Sequence, residues 1–177
     1  MTYISKINSP IGTLTIATDG KNLTGLWMNE QKYFGSTLDN DYQENNSLPI
    51  ITQTKKWLKQ YFAGQNPKID FPLAPQGSDF RQMVWNILLK IPYGKLTTYG
   101  DIAKQISKQT GKEASAQAVG GAVGHNPISI IIPCHRVVGS NDSLTGYAGG
   151  INKKIKLLEL EGSHNPSLFT PKKGTAL

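Results

Sequence analysis

Residues Thr98–Val123 read TYGDIAKQISKQTGKEASAQAVGGAV, and two short helices can be laid along them. Thr98, with Asp101 three residues on, caps a helix carrying Ile102, Ala103 and Ile106 on one face. A turn around Gly111 leads into Ser115–Val123, where Ala and Gly dominate. Two helices joined in this way spell a helix-turn-helix. Gly120 and Gly121 inside a helix cost about 1 kcal/mol each relative to Ala. That cost suits either tight helix packing or a face that something must approach closely. Apart from Gln117, the second helix lacks the long polar side chains that read bases in the major groove. The expected contact is shallow and sequence-tolerant, against a sugar–phosphate backbone or a minor groove.

Upstream, Ser78 caps a helix bearing Phe80, Val84, Ile87, Leu88 and Ile91, which Pro92-Tyr93-Gly94 stops. Pro67, Pro72, Pro75 and Gly77 mark a linker. Before it, Pro49 opens an amphipathic helix with Trp57, Leu58, Tyr61 and Phe62, closed by Gly64. The first thirty residues alternate as a small antiparallel sheet: Tyr3–Ile7, Leu14–Thr18 and Leu23–Met28, with a polar loop over 35–47. The apolar run Ile128–Ile132 predicts a buried strand, and a last helix spans Asn152–Leu160. The tail beyond Ser163, with Lys172-Lys173, is expected at the surface. Two domains follow: an α/β domain over 1–75 and a mostly helical one over 76–177.

The chain has 177 residues, a net charge of +7 and 38% hydrophobic content, which suits a soluble globular protein. The positive balance favours a polyanionic partner, nucleic acid first, although the lysines are spread rather than blocked. No apolar run is long enough to span a bilayer. The opening residues lack a signal segment, and with a single cysteine the cytoplasm is the expected compartment. His125, His135 and His164 are scattered, so no metal site is expected.

The one cysteine, Cys134, follows Pro133, which cannot continue a central strand. The chain should therefore leave the sheet where the thiol appears. A lone Cys is either a small buried hydrophobe or a reactive group. His135 beside it favours reactivity, since an imidazole can take the thiol proton. Strand neighbours point to opposite faces, so the pair needs a bend at Pro133 or a bridging water. The imidazole also needs an orienting acceptor. Glu161 stands at the C-terminal end of the last helix, where the macrodipole disfavours a carboxylate, and is the candidate.

The run Pro133-Cys134-His135-Arg136-Val137, preceded by Ala118-Val119-Gly120-Gly121-Ala122 and Asn126-Pro127, resembles the O6-alkylguanine-DNA alkyltransferases. These are also called methylated-DNA–protein-cysteine methyltransferases. The resemblance covers about residues 78–162 strongly; the N-terminal part resembles the family's ribonuclease-H-like α/β domain more loosely. It implies a winged-helix-like second domain that binds double-stranded DNA containing O6-alkylguanine, largely without sequence specificity. The damaged base is flipped out, and Cys134 takes its alkyl group irreversibly, once per molecule. O4-methylthymine is an expected second substrate. The resemblance makes His135 the base acting through a water, Glu161 its orienting partner and Asn126 the brace of the turn. Tyr99 becomes the proton donor to the leaving guanine. Tyr147 and Ala148 line the base pocket, with a minor pocket role for Lys154 and a structural one for Arg136. Gln117, Ala118, Gly120, Gly121 and Val137 complete the substrate- and DNA-binding set. A monomer without cofactor or membrane partner is implied.

Two positions depart from the pattern. Gln117 stands where many members insert an arginine into the base stack, and Gly124-His125 where an arginine is common in some members. Both changes remove a cation facing DNA. Two rivals remain: a protein that binds alkylated bases without chemistry, and a turning-over Cys–His hydrolase. Relatives of the first kind replace the cysteine, and the second needs an oxyanion site and has no use for the small-residue helix-turn-helix.

Overall fold

In the computed structural model, which describes residues 1–168, the alternating segments form β1 (Thr2–Ser9), β2 (Gly12–Thr18) and β3 (Leu23–Met28). β1 and β2 run antiparallel with Ser9 opposite Gly12, and Gly12 closes the turn at a φ of 103° that a Cβ would strain. β3 pairs antiparallel with β2, so Leu14, Ile16, Leu23, Leu26 and Met28 enter the core. The stretch expected as a polar loop holds a fourth strand, β4 (Tyr42–Glu44), parallel to β1. The order is β3-β2-β1-β4. All three β4 residues are exposed, so no apolar alternation marks them; the strand exists through backbone pairing alone.

Helix α1 (Pro49–Phe62) has its proline in the first turn, where the missing N–H costs nothing. It buries Ile50, Ile51, Trp57, Leu58 and Tyr61, and the Trp57 indole donates to the Pro67 carbonyl at 3.2 Å. The Pro-rich stretch is partly pinned. Leu23 donates to the Pro72 carbonyl at 2.9 Å and Ala74 to the Leu23 carbonyl at 2.8 Å, beside β3.

The chain divides into two compact units, one of residues 1–76 with 127–131, the other of 77–126 and Ile132 onward. The segment Pro127–Ile131 thus belongs to the first unit although it lies far along the chain. Leu26 N–H donates to the Pro127 carbonyl at 2.8 Å, and Ser129 N–H to the Leu26 carbonyl at 3.0 Å. The strand expected over Ile128–Ile132 does not form. Ile128 makes a single bridge to Leu26, and the chain then turns through Ile130 at a φ of 71°. The four isoleucines are buried as expected, but an apolar run reports burial and not backbone geometry.

In the second unit α2 (Asp79–Leu88), α3 (Tyr99–Thr110) and α4 (Ala116–Gly124) pack together. Side-chain oxygens of Ser78, Thr98 and Ser115 accept from Arg81, Asp101 and Ala118 N–H at 3.3, 3.1 and 3.0 Å, satisfying orphan donors at each N-terminus. Gly111 ends α3 in the left-handed region, and α3, the turn and α4 form the helix-turn-helix. Val84, Leu88, Ile102, Ile106, Val119 and Val123 are buried in this unit, where the Trp85 indole donates to the Ala122 carbonyl at 2.9 Å. A short parallel pair, β5 (Thr97–Thr98) with β6 (Val137–Val138), and α5 (Ile151–Leu160) complete it. Lys172-Lys173 lie outside the described residues.

Candidate active site

Cys134, His135 and Arg136 form one 3-10 turn and not the end of a strand. Cys134 N–H donates to the Ile132 carbonyl at 2.8 Å and Arg136 N–H to the Pro133 carbonyl at 3.1 Å. The bend expected at Pro133 takes this form. It presents three successive side chains in different directions, and all three are buried.

Two of them meet Glu161, which caps the C-terminus of α5. His135 Nε2 lies 2.7 Å from Glu161 Oε2. Arg136 Nε donates to Oε1 at 2.7 Å and Nη2 to Oε2 at 3.2 Å, while Nη1 donates to the Ile91 carbonyl at 2.7 Å. The guanidinium also lies 5.7 Å from the Tyr93 ring centre. Burial by itself would raise the Glu161 carboxyl. The hydrogen bonds and charges of His135 and Arg136 override that and hold it down to about 2. The unfavourable helix end is thus compensated by two donors. Burial pushes the His135 imidazole below its usual range, against the pull of Glu161. With Nε2–H donating to the carboxylate, Nδ1 is the proton acceptor; it is buried without a hydrogen-bond partner among the described residues.

Cys134 is 4% exposed, and burial pushes its thiol up. Asn126, the Lys154 charge, the local backbone and the Tyr147 hydroxyl each act the other way, favouring thiolate. Asn126 Nδ2 donates to the Ile132 carbonyl at 2.8 Å, closing the base of the loop that precedes the thiol. The Lys154 ammonium is fully buried and donates to the Val137 carbonyl and, at 3.2 Å, to that of Thr145. Desolvation lowers it to about 8, and the sulfur's charge opposes this. The Tyr99 hydroxyl reaches the same loop, donating to the Thr145 and Gly146 carbonyls at 3.0 and 3.3 Å. Desolvation first, and then the charge of Cys134, raise its ionisation well above the usual tyrosine range.

Cys134, His135, Glu161, Asn126, Tyr99, Tyr147, Val137 and Lys154 therefore gather within the second unit. Gln117 and Ala118 stand exposed on α4, Gly120 is buried beneath them and Ala148 is half-buried in the loop after Tyr147. A Cβ built on Gly121 would meet nothing within 4 Å, so packing inside the protein does not demand this glycine. Sequence reasoning understated Arg136, which grips Glu161 with two nitrogens. A charged residue between the apolar run and Val137-Val138 was its signal. Among the described residues no group of three His, Cys, Asp or Glu is placed to hold a metal, and no helix is long and apolar enough to cross a membrane.

Residues 79–163 match the family model described as the 6-O-methylguanine DNA methyltransferase DNA binding domain, and residues 2–75 match its ribonuclease-like domain. A methylated-DNA–protein-cysteine methyltransferase of Mycobacterium bovis is 47% identical over 170 residues, covering 96% of this chain and 98% of the relative. One from Methanosarcina acetivorans is 42% identical over 162 residues, covering 91% and 99%. The crystal structure of Mycobacterium tuberculosis OGT in complex with DNA superposes with a TM-score of 0.79 at 44% identity, over 93% of this chain and 96% of that one.

Proposed function

The chain belongs to the 6-O-methylguanine DNA methyltransferase family, and on that premise we propose that it repairs DNA by moving the methyl group of O6-methylguanine onto Cys134. The observation that carries the reading is the buried Cys134 thiol, in a turn with a histidine whose far nitrogen is fixed by Glu161.

His135 Nδ1 takes the thiol proton through a water, and the resulting imidazolium is stabilised by the Glu161 carboxylate. The thiolate, supported by Asn126, Tyr147 and the Lys154 charge, attacks the methyl carbon. The S–C bond forms as the C–O6 bond breaks, and the electron pair withdraws into the guanine ring. Tyr99 delivers a proton to the leaving base and is reprotonated from the site, so the thiol proton ends on guanine. A thioether has no ready leaving group, so each molecule acts once. The base reaches the thiol by flipping out of the duplex, and O4-methylthymine is accepted by the same chemistry.

The α4 face supports a DNA partner. Ala118 and Gly121 leave it free of bulk, and the net charge is +7. Double-stranded DNA carrying O6-alkylguanine, bound by a cytoplasmic monomer without cofactor, completes the proposal. Incubation with duplex DNA bearing radiolabelled O6-methylguanine tests it. Label should move to protein, saturate at about one methyl per chain and vanish in Cys134→Ser. Tight binding without transfer would overturn the reading in favour of recognition without chemistry.

A further inference from the structure

Gln31 is a polar side chain only 5% exposed, in a part of the chain to which the proposed reaction assigns nothing. Its Oε1 accepts from Met28 N–H at 3.0 Å and from the Ser129 hydroxyl at 3.1 Å, while the Gln31 backbone N–H donates to the Met28 carbonyl at 3.2 Å. The turn after β3 is thus locked to the segment Pro127–Ile131, which Leu26 also holds through both of its backbone groups. Immediately beyond Ser129, Ile130 adopts a φ of 71°, a region that a β-branched residue enters only when its surroundings enforce it.

The chain on either side of this clipped segment carries the candidate active site. Asn126 precedes it and Ile132 follows it, and these two are joined by the Asn126 side chain at 2.8 Å. Cys134 lies two residues further on and bonds back to the Ile132 carbonyl. A seven-residue loop is therefore pinned at its crown by Gln31 and Leu26 and closed at its base by Asn126.

We propose that Gln31, with Ser129, is a positioning residue for methyl transfer: it holds the strained crown of the 126–132 loop, and thereby fixes Asn126 and the Cys134 turn at its base. The proposal rests on Cys134 being the acceptor. It gives Gln31 a part in the chemistry through the chain segment that it clips. The crown needs such a clip because its geometry is not one that Ile130 adopts unaided, and release would let the loop relax toward ordinary backbone angles. A shift of about 1 Å at a reacting group can cost on the order of a hundredfold in rate.

The test uses the full chain with Gln31→Leu, Ser129→Ala and the pair together. Four quantities are measured: thermal midpoint, affinity for methylated duplex, single-turnover methyl transfer, and the pH dependence of Cys134 alkylation by iodoacetamide. Expected are DNA affinity within about twofold of the unaltered chain, transfer slowed roughly tenfold or more in Gln31→Leu, and an alkylation profile displaced to higher pH. Ser129→Ala should act in the same direction more weakly, and the double variant should fall short of the product of the singles, because both break one bond. Gln31→Glu, which keeps the accepting oxygen, should recover most of the rate. A lower midpoint with unchanged transfer and an unchanged alkylation profile would overturn the proposal, leaving Gln31 as core only. If Gln31→Leu does not fold, Ser129→Ala decides by the same readouts. The alkylation profile needs no DNA. Failure of the unaltered chain to accept methyl would therefore sink the acceptor role, while the clip is still judged on the thiol.

Discussion

Replacing Glu161 by Gln is the perturbation for which the structure makes the fullest statement. The carboxylate takes three hydrogen bonds from His135 and Arg136, and its ionisation is moved from 4.5 to about 2. At 1.36 kcal/mol per unit, this corresponds to about 3 kcal/mol favouring the folded state. Because the folded value lies below the unfolded one, the stabilisation is complete above about pH 4.5 and is lost as the pH falls through about 2. At neutral pH the Gln variant should melt roughly 6–12 °C lower, and the gap should close in acid, where the native carboxyl is itself neutral. The chemical effect follows from hydrogen count. A Gln side chain that offers its oxygen to Arg136 must turn its NH2 toward His135 Nε2. That favours the tautomer with the proton on Nδ1, which cannot then accept a proton from the thiol. Single-turnover transfer from a methylated duplex should slow by roughly a hundredfold or more, with DNA affinity unchanged. Transfer within about twofold of the unaltered protein would refute the assignment of His135 as base and Glu161 as its orienting group. An unchanged melting point at neutral pH would refute the electrostatic argument separately.

Three further substitutions have definite expected outcomes. Gly121→Ala should raise the melting temperature, since Ala is favoured over Gly in a helix by about 1 kcal/mol and the added Cβ meets nothing; it should nevertheless weaken DNA binding, measured by fluorescence anisotropy, if α4 approaches the duplex closely. Lys154→Met removes a buried charge that supports the thiolate, so iodoacetamide alkylation of Cys134 should require higher pH. Since Lys154 is depressed from 10.5 to about 8, its own contribution to stability rises with pH across that window, so the stability of the native protein relative to the variant should increase there, while the raised Cys134 and Tyr99 act alike in both. Gln117→Arg should tighten DNA binding and steepen the slope of log affinity against log salt by about one unit, read from a titration series at several salt concentrations.

Elements whose signals are local were legible in the chain before folding. Serine and threonine oxygens reach N–H groups three residues on, so the starts of α2 and α3 could be read from Ser78 and Thr98 once the apolar spacing was seen, whereas the Ser115 cap of α4, in a helix of Ala and Gly without that spacing, came from the structure. β2 and β3, buried at consecutive positions over 14–18 and 25–28, were marked by β-branched and apolar residues between turn signals, and the chain neighbours Pro133, Cys134 and His135 carried the chemistry because they are adjacent whatever the fold. Tertiary structure alone decided what depends on distant backbone. β4 is fully exposed and exists by pairing with β1, which leaves no mark on its side chains. Ile128–Ile132 is buried but turns, since burial selects apolar residues without selecting their φ and ψ. The grip of Arg136 on Glu161, the burial of Lys154 and the clip from Gln31 to Ser129 join groups from 9 to 98 residues apart. No short-range pattern records such pairs. Their cost and benefit arise only when folding strips water from polar groups that must then satisfy one another.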